Sequence, residues 1–253
     1  LVAILGSPGL SREELERYDR QIRIPEIGLE GQLKLKEARA VVIGLGGLGC
    51  PIAMYLASAG IGHLRLIDKG RVEEGNLNRQ VLYREQDVGR HKAILAAERI
   101  RELNPHVEVE PVVEEVSEDN VEGLLEGADV ALDGLDNWHT RLIVNRACVK
   151  LGIPFIHAGV KGFYGQVMTI LPGKGPCLRC LLRATPPEEP VVPIVGATAA
   201  VLASIQALEA IKLITGLGEP LVGRLLVFDG LKMRFEELLV SRRPDCPVCG
   251  GLS

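Results

Sequence analysis

Val41-Val42-Ile43-Gly44-Leu45-Gly46-Gly47-Leu48-Gly49 is an apolar run ending in a cluster of glycines, and Leu64-Arg65-Leu66-Ile67-Asp68 is a second such run ending in a carboxylate. The first predicts a buried strand that delivers the chain to a turn, where glycine permits positive φ and close backbone approach. The helix that follows opens with free N–H groups, which favour a phosphate. Asp68 then stands where a carboxylate accepts hydrogen bonds from ribose hydroxyls. Gly44-x-Gly46-x-x-Gly49 alone also suits tight helix–strand packing; with its strand, helix and Asp68 it reads as a nucleotide site. It does not choose between NAD, FAD and ATP.

The choice rests on residues further along. Asn76-Leu77-Asn78-Arg79-Gln80, Gly89-Arg90-His91-Lys92 and Asp133-Gly134-Leu135-Asp136-Asn137 fall on later turns of the same α/β unit. With Arg20 in Arg17-Tyr18-Asp19-Arg20-Gln21, they supply three cations and a carboxylate for one polyphosphate. A helix N-terminus already serves a dinucleotide pyrophosphate, whereas attack on an α-phosphate needs further positive charge. Taken singly, Arg79 and Lys92 would be solvated surface charges. Lys92, however, opens a helix, where a cation is unfavourable unless an anion is near.

In order and spacing these motifs resemble the ubiquitin-activating-type adenylyltransferase family, specifically its bacterial ThiF/MoeB/HesA branch, from about Ser11 to Gly250. The resemblance implies that Arg79 and Lys92 contact the phosphates of ATP. It implies that Arg20 reaches the active site of the other protomer of a homodimer, and that Asp136 is the essential acidic residue beside Mg²⁺ and the triphosphate. Gly44, Gly46, Gly47, Gly49, Asp68, Asn76, Asn78 and Asn137 complete the implied nucleotide site. The implied substrate is the C-terminal glycine of a small ubiquitin-like sulfur-carrier protein ending in Gly-Gly, of the kind used in molybdopterin or thiamine thiazole synthesis. Thr185 through Ala197 contains no cysteine. That departs from family members that bond covalently to their carrier, and implies a separate sulfur donor and a place nearer the molybdopterin type. Two rivals stay open: an NAD-dependent oxidoreductase, which shares the glycine loop, and a non-catalytic scaffold of an activating-enzyme complex.

Four of the six cysteines form Cys177-x-x-Cys180 and Cys246-x-x-Cys249. Meeting in space, they would make a closed tetrahedral thiolate site that suits structural zinc, with disulfides or loose thiols as the alternative. Cysteine usage points to a reducing cytoplasm. Cys50, at a helix N-terminus where a thiol pKa can fall, reads rather as a buried small residue, and Cys148 as packing. With 253 residues, 47 % of them hydrophobic and 25 % charged, the chain can bury a full core as one α/β domain. A net charge of −4 offers no basic field for nucleic acid. The Leu1–Leu5 run is too short for a secretory segment, so residues 1–10 read as a tag remnant or disordered N-terminus, and 11–250 as the domain.

Ser11-Arg12-Glu13-Glu14 predicts a capped helix carrying Arg17 and Arg20 on one side. Strand-like runs at 40–44, 63–68, 107–113, 128–132 and 154–158 alternate with helical stretches at 51–59, 93–103 and 141–151, predicting parallel β-α-β units. Runs at 165–171, 224–230 and 233–239 predict antiparallel strands around a long helix. The fold class is therefore α/β: a Rossmann-like mixed sheet flanked by helices, with an antiparallel C-terminal half and a four-cysteine zinc site. A proline-rich loop spans 183–190. The apolar stretch 191–217 is broken by Pro193, Gln206, Glu209 and Lys212, so it predicts a buried helix rather than a membrane span, with Gly196, Ala200, Ser204 and Ala207 as a face for close packing on a sheet or a second subunit. Asp136 doubles as the expected N-cap of the helix through 139–151, Asp133 reads as a strand-end residue, and the five histidines show no ligand spacing.

Overall fold

The computed structural model describes residues 9–187, 189 and 191–251. Its frame is a single eight-stranded sheet of β1 (Arg39–Ile43), β2 (His63–Ile67), β3 (Glu108–Val112), β4 (Val130–Asp133), β5 (Phe155–Lys161), β6 (Tyr164–Ile170), β7 (Arg224–Asp229) and β8 (Arg234–Leu239). The spatial order is β3-β2-β1-β4-β5-β6-β7-β8, parallel from β3 to β5 and antiparallel from β5 to β8. Nine α-helices join the described strands: α1 (Arg12–Arg17), α2 (Asp19–Ile22), α3 (Gly28–Glu37), α4 (Gly49–Ala59), α5 (Lys92–Leu103), α6 (Val121–Leu125), α7 (Trp138–Leu151), α8 (Leu178–Leu181) and α9 (Gly196–Thr215).

The central strands read as unbroken apolar runs because both faces are covered. Ala40 and Val42 of β1 join Leu35, Ile52, Leu95 and Leu202 from α3, α4, α5 and α9 on one face. Val41 and Ile43 join Val121, Leu125, Ile143 and Val144 from α6 and α7, together with the four paired cysteines, on the other. β8 lies at the edge and is exposed along its whole length, so the sheet's cover, still present over β6, ends at its last strand.

Three local expectations change. Ser11 and Glu14 do form a capping box on α1, but that helix ends at Arg17 and Arg20 sits on the separate turn α2, so the two arginines do not share one helix face. The N-cap of α7 is Asn137, whose side chain accepts from Thr140 N, because the helix begins at Trp138 and a cap at Asp136 would need it to begin at 137; Asp136 lies outside it. In α9 the buried stripe is Ala199, Leu202, Ala203, Gln206, Ala207 and Ala210, while Gly196, Ala200 and Ser204 are half-exposed. Gln206 sets that phase by bonding the carbonyls of Asp133 and Ile156, and buried Glu209 by accepting from Thr169 Oγ1 and Leu221 N. By length and composition α9 is the one described helix that could cross a membrane; here it lies across the sheet.

Candidate functional site

The loops after β1, β2 and β4 meet at the C-terminal ends of the parallel strands, where sheet order reverses and ligands bind in such folds. The glycines there divide into two sets. Gly44 has φ of +86°, and a methyl group on Gly49 would stand 1.8 Å from Gly44 O, one on Gly134 2.1 Å from the same atom. Those three positions let the β1 and β4 loops touch. Methyl groups on Gly46 and Gly47 would meet nothing closer than 3.7 and 3.5 Å, so packing within the chain does not require glycine at either place.

The N–H groups of Gly46, Gly47 and Leu48 donate to no acceptor among the described residues. No side chain caps α4 either, and Pro51 in its first turn has no N–H to lose. Unsatisfied donors at a helix start form an anion cradle. Asp68 fixes that loop: one carboxylate oxygen accepts from Leu45 N at 2.7 Å, the other from Gly70 N at 2.6 Å, and each keeps a lone pair for a further donor. From the other side, Tyr83 Oη and Cys50 Sγ both donate to Leu45 O. Burial pushes the Cys50 thiol up to about 12, so it is a packed hydrogen-bond donor and not a nucleophile.

Two of the three expected cations converge here. Lys92 opens α5 beside Asp68, since a methyl group on Gly70 would lie 2.9 Å from Asp68 Oδ1 and 3.7 Å from Lys92 Nζ. Its ammonium makes no hydrogen bond or ion pair among the described residues. The Arg79 stem passes 3.5 Å from a methyl on Gly47, and its guanidinium is held by Gly75 O and Asn78 Oδ1. The start of α9 closes on the same segment, with Gly196 against Arg79 and Asn78 O. Asn76 is committed locally, its Oδ1 accepting from Glu73 N. Asp136 is exposed, its one hydrogen bond among the described residues a 3.3 Å contact from Asn137 Nδ2.

Arg20 lies elsewhere. Its neighbour Gln21 bonds Ala59 O, at the far end of α4 from the glycine loop. An eleven-residue helix is roughly 16 Å long, so Arg20 does not join the cations of its own loop.

Sequence reasoning missed a buried network under this site. Asp133 accepts from Leu135 N, from Arg141 Nε at 2.9 Å and from His157 Nδ1 at 2.6 Å, and Arg141 also donates to the carbonyls of Leu135 and Ala158. Arg141 stacks over Trp138, and the Trp138 and His157 rings lie 5.8 Å apart. Burial outweighs the attraction of Asp133 and pushes His157 below the usual imidazole range; the neutral ring then donates through Nδ1 and accepts at Nε2 from Gln166. The network ties α7 and β5 to the loop that carries Asp136. Its one signal in the sequence was Arg141, a cation among the apolar positions of a helix.

On the sheet's opposite face, Cys177, Cys180, Cys246 and Cys249 place their sulfurs within 4.8 Å of one another, with Cys177–Cys246 at 3.7 Å and Cys180–Cys249 at 3.4 Å. None is in a disulfide. A tetrahedral zinc with Zn–S near 2.3 Å needs sulfurs about 3.8 Å apart, so the four residues fit that ion with no open position. Burial drives Cys177 and Cys180 upward; at Cys246 it is outweighed by N–H groups of Cys249 and Val248, which bring the thiol down to about 7.

Comparison with known proteins extends this picture. The model of the ThiF family matches residues 18–248. A sulfur carrier protein adenylyltransferase of Thermus thermophilus is 43 % identical over 250 residues, covering 95 % of this chain and 92 % of that protein. The adenylyltransferase and sulfurtransferase MOCS3 of Drosophila sechellia is 41 % identical over 259 residues, covering 98 % of this chain but 57 % of that longer protein. Among solved structures, E. coli MccB with ATP superposes with a TM-score of 0.83 at 26 % identity, covering 92 % of this chain and 74 % of MccB.

Proposed function

The chain belongs to the ThiF family, and from that premise we propose that it adenylates the C-terminal glycine carboxylate of a small ubiquitin-like sulfur-carrier protein ending in Gly-Gly. The observation that carries this reading is the convergence of three free N–H groups, the Asp68 carboxylate and the uncommitted Lys92 ammonium at one loop. A ribose suits the open lone pairs of Asp68, and a polyphosphate suits the N–H cradle with Arg79 and Lys92 beside it. The carrier carboxylate attacks the α-phosphate, pyrophosphate leaves, and an acyl-adenylate remains. No side chain need act as a nucleophile, so the catalytic work is positioning and charge stabilisation.

The exposed Asp136 carboxylate fits a magnesium ion shared with phosphate oxygens, which such an ion prefers to a protein cage; bound there, it would supply charge neutralisation. The four cysteines would hold one structural zinc per chain. Arg20, displaced from its own cradle, is assigned to the partner's site in a homodimer, with Asn78 and Asn137 lining the phosphates. With no cysteine between Thr185 and Ala197 and Cys50 buried, sulfur comes from a separate donor, as in the molybdopterin branch of the family, in the cytoplasm.

The test is intact-mass spectrometry under denaturing conditions after incubating enzyme, ATP, Mg²⁺ and candidate Gly-Gly carriers without a sulfur donor. Carrier-AMP is expected. A carrier–enzyme thioester or disulfide would overturn the separate-donor reading, and binding of NAD(H) in place of ATP would overturn adenylation.

A further inference from the structure

Gln80 is buried to 4 % exposure just beyond Arg79, and its backbone is satisfied, with N–H to Asn76 O and C=O from Tyr83 N–H. Its side chain is not. Oε1 is fully enclosed with no donor, and Nε2, which forms no hydrogen bond among the described residues, lies 3.7 Å from a methyl group placed on Gly46. With the amide exchanged end for end, Nε2 would be the enclosed, unbonded group and Oε1 would face the loop, so the donor role belongs to the orientation that turns Nε2 toward Gly46. A buried polar group without a partner opposes folding, and a native chain has few of them. Here it adjoins three N–H groups that are also without partners.

We propose that Gln80 is a nucleotide-contacting residue: its amide completes the anion cradle of Gly46, Gly47 and Leu48, donating to a phosphate oxygen bound there. The proposal deepens the nucleotide reading above and rests on it. Arg79 and Lys92 bring charge, which attracts any polyanion. Gln80 brings a neutral, directional donor fixed by the short turn Glu74–Asn76, whose last carbonyl holds the Gln80 N–H. Its role is therefore to select the oxygen that enters the cradle and its orientation. The Nε2 end is accordingly idle in the free protein and bonded in the complex, whereas Oε1 stays enclosed and unbonded in both.

That asymmetry gives the test opposite signs. Gln80→Met has nearly the same volume and no polar atoms. It should raise the melting temperature of the nucleotide-free protein by about 2–4 °C, the shift that one recovered buried polar group produces in a chain of this size. It should also weaken binding of ATP·Mg²⁺, measured by calorimetry, by roughly 10-fold or more, as loss of a hydrogen bond to a charged group does. Gln80→Glu, of the same shape, should bind ATP more weakly than Gln80→Met at pH 8 and recover as the pH falls and the carboxyl is protonated. It keeps the question open to measurement if the methionine variant does not fold. A lowered melting temperature together with weaker binding would assign Gln80 to structure alone and overturn the proposal. So would unchanged ATP affinity in Gln80→Met, or in Gln80→Glu across the pH range. Failure of the unsubstituted protein to bind ATP would be a different result, refuting the nucleotide reading and this proposal with it.

Discussion

The glycine cradle and the four-cysteine cluster are both built from polar groups the chain does not fully satisfy, yet they face opposite ways. In the cluster, sulfurs from two distant segments face one another and are buried, so the ligand they fit would be enclosed and its binding energy would be folding energy. In the cradle, N–H groups, Asp68 and Lys92 face outward on a loop already fixed by Asp68, Tyr83 and the Gly44–Gly134 contact. A ligand there adds nothing the fold needs. Substitutions in one region should therefore damage stability, and in the other activity, and the glycine loop contains both kinds of position.

The loop offers the sharpest contrast. Gly49→Ala places a methyl 1.8 Å from Gly44 O, and backbone cannot yield that distance cheaply. We expect a loss above about 5 kcal/mol and little folded protein, the range reserved for overpacked cores and strained backbone. Gly46→Ala meets nothing nearer than 3.7 Å and should melt within about 2 °C of the parent while binding ATP far more weakly. Thermal melts of the pair decide this; equal damage from both would dissolve the distinction between packing and ligand-facing glycines.

Cys177→Ala should cost about 3–5 kcal/mol, or roughly 10 °C in melting temperature, and lower the zinc content measured by elemental analysis. Its nucleotide affinity at a temperature where it remains folded should be unchanged. Metal-free protein with parental stability would remove the cluster from the folding account. Lys92→Met reverses the pattern: a fall of about 10²–10³ in carrier-dependent turnover, worth ~3–4 kcal/mol at the transition state, with an unchanged melt. A mutant that loses stability in step with activity would show the ammonium to be structural.

The smallest effect expected is at His157. Burial holds its pKa below the unfolded value near 6.5, so the unfolded chain binds more protons and stability falls as pH drops below about 6.5. Stability should therefore decline from pH 7 to 5.5, and His157→Gln should remove that part of the slope in urea titrations. Parallel slopes for the two proteins would contradict the assignment of a neutral ring.

Much of this fold was legible because strand segments covered on both faces are apolar throughout, and Ala40–Ile43 of β1 and Val130–Leu132 of β4 are such runs. The cysteine pairs were legible because spacing alone states a metal geometry. The Asp133–Arg141–His157 network was not, since its members meet only through the β4–β5 pairing and the docking of α7, and a single histidine in a strand carries no periodic signal. The face of α9 that meets the sheet was legible only at Ala207, for a related reason. Small residues at four-residue spacing named one face, but buried Gln206 and Glu209, each anchored to the sheet or the loop before β7, turned another inward. Gln80 is the last residue of the Asn76–Gln80 motif, and only its burial without a partner distinguishes it from its neighbours.

The most direct measurement is isotope exchange between pyrophosphate and ATP, with Mg²⁺ and a Gly-Gly-terminated carrier, compared with the same carrier lacking its last glycine. Exchange is expected only with the intact carrier, abolished by Asp136→Ala in a protein that still folds and holds zinc. Exchange unaffected by Asp136→Ala, or none with any intact carrier while ATP still binds, would contradict this expectation.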